Sequence, residues 1–208
     1  MPVFPAKTPK LIQRLFPNYI WKKASLSKSI YLTFDDGPTP KITQWTLDTL
    51  KKYNAKATFF CIGDNIKKYP ELFKSVYNDG HTIGNHTFNH LKGWRTDTNS
   101  YVKNTEKTQQ LITSNSKQLF RPPFGKIKRK QAKQLIKRGY KIVMWSVISY
   151  DWEVKVTPEQ CLENVIKNSV SGSIIVFHDS IKASKNMQYA LPKVLEHFSS
   201  KGYQFKAL

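Results

Sequence analysis

Apolar residues along this chain fall into short unbroken runs separated by stretches with helical spacing. Residues 30–34, 57–62 and 173–177 are the clearest runs. Their length suits strands buried on both faces. Shorter runs at 81–84, 119–121, 140–146 and 203–207 bring the predicted strand count to seven. Between them, residues 42–53 place Ile42, Trp45, Leu47 and Leu50 at roughly helical intervals. Residues 65–79 place Leu72, Phe73, Val76 and Tyr77 on one helical face, with Gly80 as the stop. A polar helix is predicted over 100–114, and a basic one over 130–138 that Gly139 ends. At Thr157 a helix start is written out: Thr157 caps, Pro158 suits the first helical position, and Gln160 completes a capping box. Leu162, Val165 and Ile166 form its buried face. Residues 188–200 turn Leu191, Val194, Leu195 and Phe198 inward, and Gly202 ends that helix.

Strands alternating with helices predict an α/β fold with a parallel sheet under helical layers, either doubly wound or closed as a (β/α) barrel. A chain of 208 residues suits one domain and can bury a core without disulfide staples. It shows no internal repeat and no Gly-, Ser- or Pro-rich linker. The organisation read from it is a catalytic domain over 29–208 and an N-terminal extension over 1–28, packed on or near the barrel. Within that extension, Leu11, Ile12, Leu15 and Phe16 sit among Lys10, Arg14, Lys22 and Lys23. Two readings stand: attachment to a membrane surface, or packing across the bottom of the barrel.

Composition narrows the classes. An aromatic content of 13% excludes a disordered chain, and no apolar run reaches the ~18 residues of a membrane-spanning helix. Residues 1–28 hold no signal-peptide core, so a cytoplasmic location, or one peripheral to the cell envelope, is expected. Cys61 and Cys161 read as buried free thiols without metal-site spacing. Thirty-four Lys and Arg against 14 Asp and Glu give a net charge of +20. Such an excess suits an anionic partner or surface, or simply a solvated lysine coat. Residues 126–138, with seven basic residues and no acid, allow the same two readings. No zinc-finger spacing or RNP-like aromatic run appears, so a specific nucleic-acid partner is not expected, and a monomer is.

In so acid-poor a chain, the placement of acids beside histidines points to chemistry. Asp35 and Asp36 follow the first predicted strand, His86 and His90 the third, Arg121 ends the fourth, Asp151 follows the fifth and His178 the sixth. Sites in parallel α/β folds form at the C-terminal ends of strands, so five stretches converge on one rim. His86 and His90, at i and i+4, share a face on a helical turn. With one carboxylate they make a catalytic zinc site with a position left open.

Thr33-Phe34-Asp35-Asp36-Gly37-Pro38, His86-Thr87-Phe88-Asn89-His90, Arg121-Pro122-Pro123-Phe124-Gly125, Asp151-Trp152 and Val176-Phe177-His178-Asp179 together resemble the polysaccharide deacetylases, the NodB-homology group or carbohydrate esterase family 4. The five motifs occur in family order. The resemblance implies a distorted (β/α) barrel of about seven strands. It implies a metal-dependent hydrolase that removes acetyl groups from N-acetylated sugars in a polysaccharide, oligosaccharide or peptidoglycan. Asp36, His86 and His90 would hold one divalent ion, zinc foremost, with cobalt, nickel or manganese as alternatives. Asp35 would be the general base, steadied by Arg121, and His178 the general acid, oriented by Asp151. Pro123 and Phe124 would wall the groove, the Phe124 N–H serving as oxyanion donor, and Trp152 and Val176 would shape the acyl pocket.

Val176 stands where the family often has Leu, Ile148 where it often has Asp, and Phe124 where Tyr is commoner. None of these departures touches an implied metal ligand. Two further classes remain beside amide hydrolysis: an acetyl-ester hydrolase, and a non-catalytic basic binding protein on the same fold. The second predicts decay of catalytic positions, and none is decayed. Trp94 either stacks on a sugar or fills a core gap, and His81 reads as a buried histidine.

Overall fold

A computed structural model describes residues 5–24, 27–112 and 118–208. In chain order the elements are α1 (Lys10–Leu15), β1 (Ser29–Asp35), α2 (Ile42–Lys52), β2 (Thr58–Cys61), α3 (Gly63–Lys68), α4 (Pro70–Asn78), β3 (Thr82–Asn85) and α5 (Thr98–Gln109). They continue with β4 (Leu119–Phe120), α6 (Arg129–Lys137), β5 (Lys141–Ile142), β6 (Val147–Ile148), α7 (Pro158–Ile166), β7 (Ile174–His178), α8 (Ser184–Ser200) and β8 (Gln204–Phe205). All strand pairings are parallel, in the order β5-β4-β3-β2-β1-β7-β6, and β8 pairs the start of β1. The architecture is the distorted (β/α) barrel that the motifs imply.

Alternation along the strands separates two cores. Ile30, Leu32 and Phe34 face helix residues such as Leu47, Leu50, Leu191 and Leu195. Tyr31 turns the other way, into the barrel, and meets Phe60, Leu119, Val143 and Ile174. Register then fixes one level for the rim. Asp35 lies opposite Phe60 on β2 and His178 on β7, and Asn85 lies opposite Cys61 and Phe120.

Three elements differ from their sequence prediction. The helix expected over 65–79 is two helices, because Pro70 offers no N–H and holds Tyr69 out of helical geometry (φ −131°, ψ 58°). The strand expected over 140–146 is only β5, and β6 lies beyond it, so the strand expected over 203–207 is an eighth, off the main path. The predicted helix end at Ser114 lies outside the described residues. At Thr157 the capping box is present as expected, with Gln160 N–H donating to the Thr157 hydroxyl at 3.2 Å. Cys61 and Cys161 are buried and free, and no described helix is long and apolar enough to cross a membrane.

Residues 5–24 bind the two end strands of the sheet. Ile148 N–H donates to the Ala6 carbonyl, Thr8 N–H to Ser146, Ile20 N–H to Ile142, and Met144 N–H to Ile20, at 2.7–2.9 Å. Trp21 is buried with Tyr101, Phe120 and Leu135, and Phe16 and Tyr19 pack against that cluster.

Candidate active site

Asp35 ends β1, and the next residue turns sharply: Asp36 has φ 80°. The turn is held from below by a buried acid. Gly37 N–H donates to Asp179 Oδ1 at 3.1 Å, and Thr43 donates to Asp179 Oδ2 at 2.5 Å while accepting from Thr39 N–H. Asn65 Nδ2 donates to the Asp36 carbonyl at 2.7 Å. Burial pushes the Asp179 carboxyl up to about 7, against the pull of the Thr43 hydrogen bond and with the Asp36 charge adding to the rise. A Cβ on Gly37 would collide with that carboxylate. Gly37→Ala is therefore expected to cost about 1–3 kcal/mol of stability, as overpacking does, and to weaken metal uptake by displacing Asp36. Thermal unfolding and metal titration of the variant check both.

Asp36, His86 and His90 bring one ligand atom each to within 4.8 Å of one another. Asp36 Oδ1 lies 3.7 Å from His86 Nε2 and 3.3 Å from His90 Nε2. His86 Nδ1 contacts the Arg121 carbonyl at 2.8 Å. A carbonyl only accepts, so Nδ1 carries the proton and Nε2 presents a lone pair to Asp36. Burial, foremost, holds the His86 imidazole below its usual range. Burial and then the facing His86 bring His90 down to about 4. Two neutral imidazoles thus face a carboxylate oxygen that is buried without a hydrogen-bond partner. Acceptors turned on one another in this way fit a shared cation, and the His₂-carboxylate set fits zinc.

The two histidines do not share a helical turn, as their spacing had suggested. His86 follows β3 directly, and Thr87 and His90 have positive φ (64° and 54°). Side chains impose this loop: Asn85 Oδ1 accepts from Thr87 N–H at 2.9 Å, and Asn104 Oδ1 from Phe88 N–H at 2.7 Å. The imidazole rings still meet, 5.1 Å apart.

Arg121 is fully buried inside the barrel. Its Nη1 donates to Asp35 Oδ1 and to the Thr33 hydroxyl, both at 2.7 Å. Nη2 and Nε donate to the carbonyls of Met144 and Val143, and the guanidinium lies over the Phe60 ring at 4.2 Å. Gly84 leaves room for that ring. Burial works against ionisation of Asp35, but Arg121 foremost, with the His178 imidazolium, outweighs it and holds its carboxyl below the usual range.

His178 stands opposite Asp35 in register. Asp151 grips it twice, with Oδ1 2.9 Å from His178 Nδ1 and Oδ2 accepting from its N–H at 2.7 Å. Burial opposes the imidazolium, yet Asp151, helped by Asp36 and Asp35, pushes His178 up to about 9. Trp152 meets the His178 ring edge-on at 4.5 Å, and Val176 lies buried one layer down, beside Thr33 and Ile148. Pro123 is buried, whereas Phe124, at φ 60°, is half exposed and packs 4.6 Å from the His90 ring. Trp94 is 61% exposed, with Lys126 Nζ 5.1 Å from its ring, so it fills no core gap. His81 is buried, as expected, and accepts from Ala57 N–H. An open cavity of about 490 Å³ adjoins the cluster, lined by Asp36, Asn65, Tyr69, His90 and Ile181 among others.

The sequence assigned no role to Asp179, Thr43 or Thr33. Asp179 carried a signal, as an acid beside His178 in an acid-poor chain. Thr33 carried only its place in the first motif and the apolar run, and Thr43 carried none.

The family model described as polysaccharide deacetylase matches residues 22–143. A peptidoglycan-N-acetylglucosamine deacetylase of Bacillus cereus is 36% identical over 186 residues, covering 86% of this chain and 66% of its own length, just under two thirds. A second protein of that name from Bacillus cereus is 37% identical over 198 residues, covering 89% of this chain and 88% of its own. Among solved structures, a peptidoglycan N-acetylglucosamine deacetylase crystallised with 4-naphthalen-1-yl-N-oxidanyl-benzamide superposes with a TM-score of 0.88 at 32% identity, over 97% of this chain and 95% of that one.

Proposed function

The chain belongs to the polysaccharide deacetylase family, and on that premise we propose that it hydrolyses the N-acetyl amide of N-acetylglucosamine residues in peptidoglycan, releasing acetate and leaving a free amine. The observation that carries the reading is one rim that joins a His₂-carboxylate cluster to an Arg-held carboxylate and an Asp-held imidazole. The names of the relatives supply the glycan.

Asp36, His86 and His90 would hold one divalent ion, zinc by the chemistry of the set, with cobalt, nickel and manganese as alternatives. When bound, the ion supplies Lewis acidity toward the acyl oxygen and the attacking water. Arg121 keeps Asp35 ionised, so Asp35 accepts the proton of water as its oxygen bonds to the acetyl carbon. The Phe124 N–H would donate to the oxyanion that forms. His178, held protonated by Asp151, delivers its proton to the sugar nitrogen as the C–N bond breaks. Trp152 and Val176 close around the acetyl methyl, while Phe124 and Pro123 wall the groove. The acid and the base are driven apart in pKa by their separate partners, as one turnover at neutral pH requires.

Acetate release from N-acetylated peptidoglycan, chitooligosaccharides and acetylxylan tests the proposal. Acetate with matching free amine is expected from peptidoglycan, abolished by chelator and restored by zinc. Release from acetylxylan alone would make the protein an ester hydrolase. No release from any substrate by the metal-loaded protein would leave the basic binding reading.

A further inference from the structure

Helix α1 is amphipathic, yet it buries nothing. A surface helix ordinarily turns its apolar stripe to the core. Here Leu11 and Leu15, one turn apart, are 68% and 63% exposed, and Ile12 beside them is 41% exposed. A six-residue helix has little stability of its own, but its flanks hold this one in place. Thr8 N–H donates to Ser146, Gln13 Nε2 to the Thr8 carbonyl, and Ile20 N–H to Ile142. Three aliphatic side chains are thus presented outward on a tethered support.

The charge along this stretch of chain has one sign. Lys7, Lys10, Arg14, Lys22, Lys23 and Lys28 precede Asp35 without a single acid between them. The basic helix α6 adjoins the same segment. Its Ala132 and Leu135 share a buried cluster with Trp21, against which Phe16 and Tyr19 pack, and the Arg129 charge acts on Tyr19. Arg129, Lys130, Lys133 and Lys137 lie on that helix, and among residues 126–138 there is again no acid. Among the described residues, the only ion pair formed there is Arg138 with Glu106.

We propose that α1 and the basic residues flanking it form a docking surface for an anionic lipid bilayer, with Leu11, Ile12 and Leu15 entering the headgroup boundary and the Lys and Arg side chains meeting lipid phosphates. Exposed aliphatic residues interspersed with Lys and Arg along an acid-free stretch of chain have the composition of an interfacial anchor. The anchor is small, so binding is reversible and sensitive to salt. It is independent of the catalytic rim: no residue of α1 takes part in the chemistry.

Co-sedimentation of the full chain with vesicles tests this, using phosphatidylglycerol mixed into phosphatidylcholine, and phosphatidylcholine alone. Binding to the anionic vesicles is expected, with at least about tenfold weaker binding to neutral ones and similar weakening at about 0.5 M salt, where screening is short-ranged. The double variant Leu11→Glu, Leu15→Glu should lose anionic-vesicle binding by about tenfold or more. Its unfolding temperature should stay unchanged, because both side chains are already exposed. Lys10→Gln with Arg14→Gln should weaken binding and leave folding intact. Absence of binding to anionic vesicles, or equal binding by the Leu11→Glu, Leu15→Glu variant, overturns the proposal. So does a dimer in solution that this double variant dissociates, which would make the face a contact between two copies of the chain.

Discussion

Asp35→Asn is expected to lower turnover by roughly 10²- to 10⁴-fold, the range for loss of a positioned general base, while the protein still takes up its metal. The substitution keeps the shape of the side chain and an oxygen that can accept from Arg121 Nη1 at the 2.7 Å seen here. It removes the charge that, in the proposed mechanism, draws a proton from water. Stability should fall as well, because Arg121 is fully buried and loses its ionic partner. The pH dependence has a definite sign. The Asp35 carboxyl is held below its ordinary value of 3.8, so its contribution to stability is complete above that pH and is lost only as pH falls through the lower folded value. In Asp35→Asn this acid-side loss should disappear. Steady-state rates, metal content and unfolding temperature measured on one preparation separate the outcomes. Unchanged turnover would remove Asp35 from the chemistry, and loss of metal would mean that it acts by supporting Asp36.

Much of this site is legible in the sequence because each group lies at a strand end beside an apolar run. Asp35, His86, Arg121 and His178 each follow such a run, and parallel pairing brings the ends to one level. What supports them is not legible. Thr43 meets Asp179 across 136 residues and Arg121 meets Thr33 across 88; Thr33 reads only as one position of a buried apolar run and Thr43 as an ordinary helix residue, and nothing local in either marks its distant partner. The His86–His90 loop misleads for a related reason. Spacing of four suggests a helical turn, but Thr87 and His90 take positive φ, which no helical turn allows, and Asn85 and Asn104 hold the Thr87 and Phe88 N–H groups in that loop. The apolar run at 140–146 marks β5 but not its length, the two-residue β6 beyond it is too short for periodicity to mark, and the edges of both are completed by residues 6, 8 and 20, far off in the chain. The break at Pro70 was written in the sequence, and the apolar spacing on either side of it concealed the interruption.

His178→Ala is expected to reduce amide hydrolysis by roughly 10²- to 10⁴-fold, as loss of a general acid does, and to spare hydrolysis of an activated aryl acetate to within about tenfold. The asymmetry follows from the leaving groups. A sugar nitrogen must receive a proton as the C–N bond breaks, because an amide anion is too basic to depart, whereas an activated phenolate leaves unaided. Asp151 decides whether that proton is present. It holds His178 through both carboxylate oxygens, and with that partner the imidazole rises from 6.5 to about 9 although burial pulls the other way. The stabilisation linked to this proton is complete below pH 6.5 and is lost as pH rises through about 9. The alkaline limb of the amide rate reports the folded protein and should therefore lie near pH 9. In Asp151→Asn, burial acts on the imidazole with its main opponent gone and only Asp36 and Asp35 still opposing it, so the limb should move to lower pH. A merely structural Asp151 would lower the rate at every pH and leave the limb in place. Equal losses on amide and aryl ester in His178→Ala, or an unmoved limb in Asp151→Asn, would break the assignment of His178 and Asp151 as one acid unit.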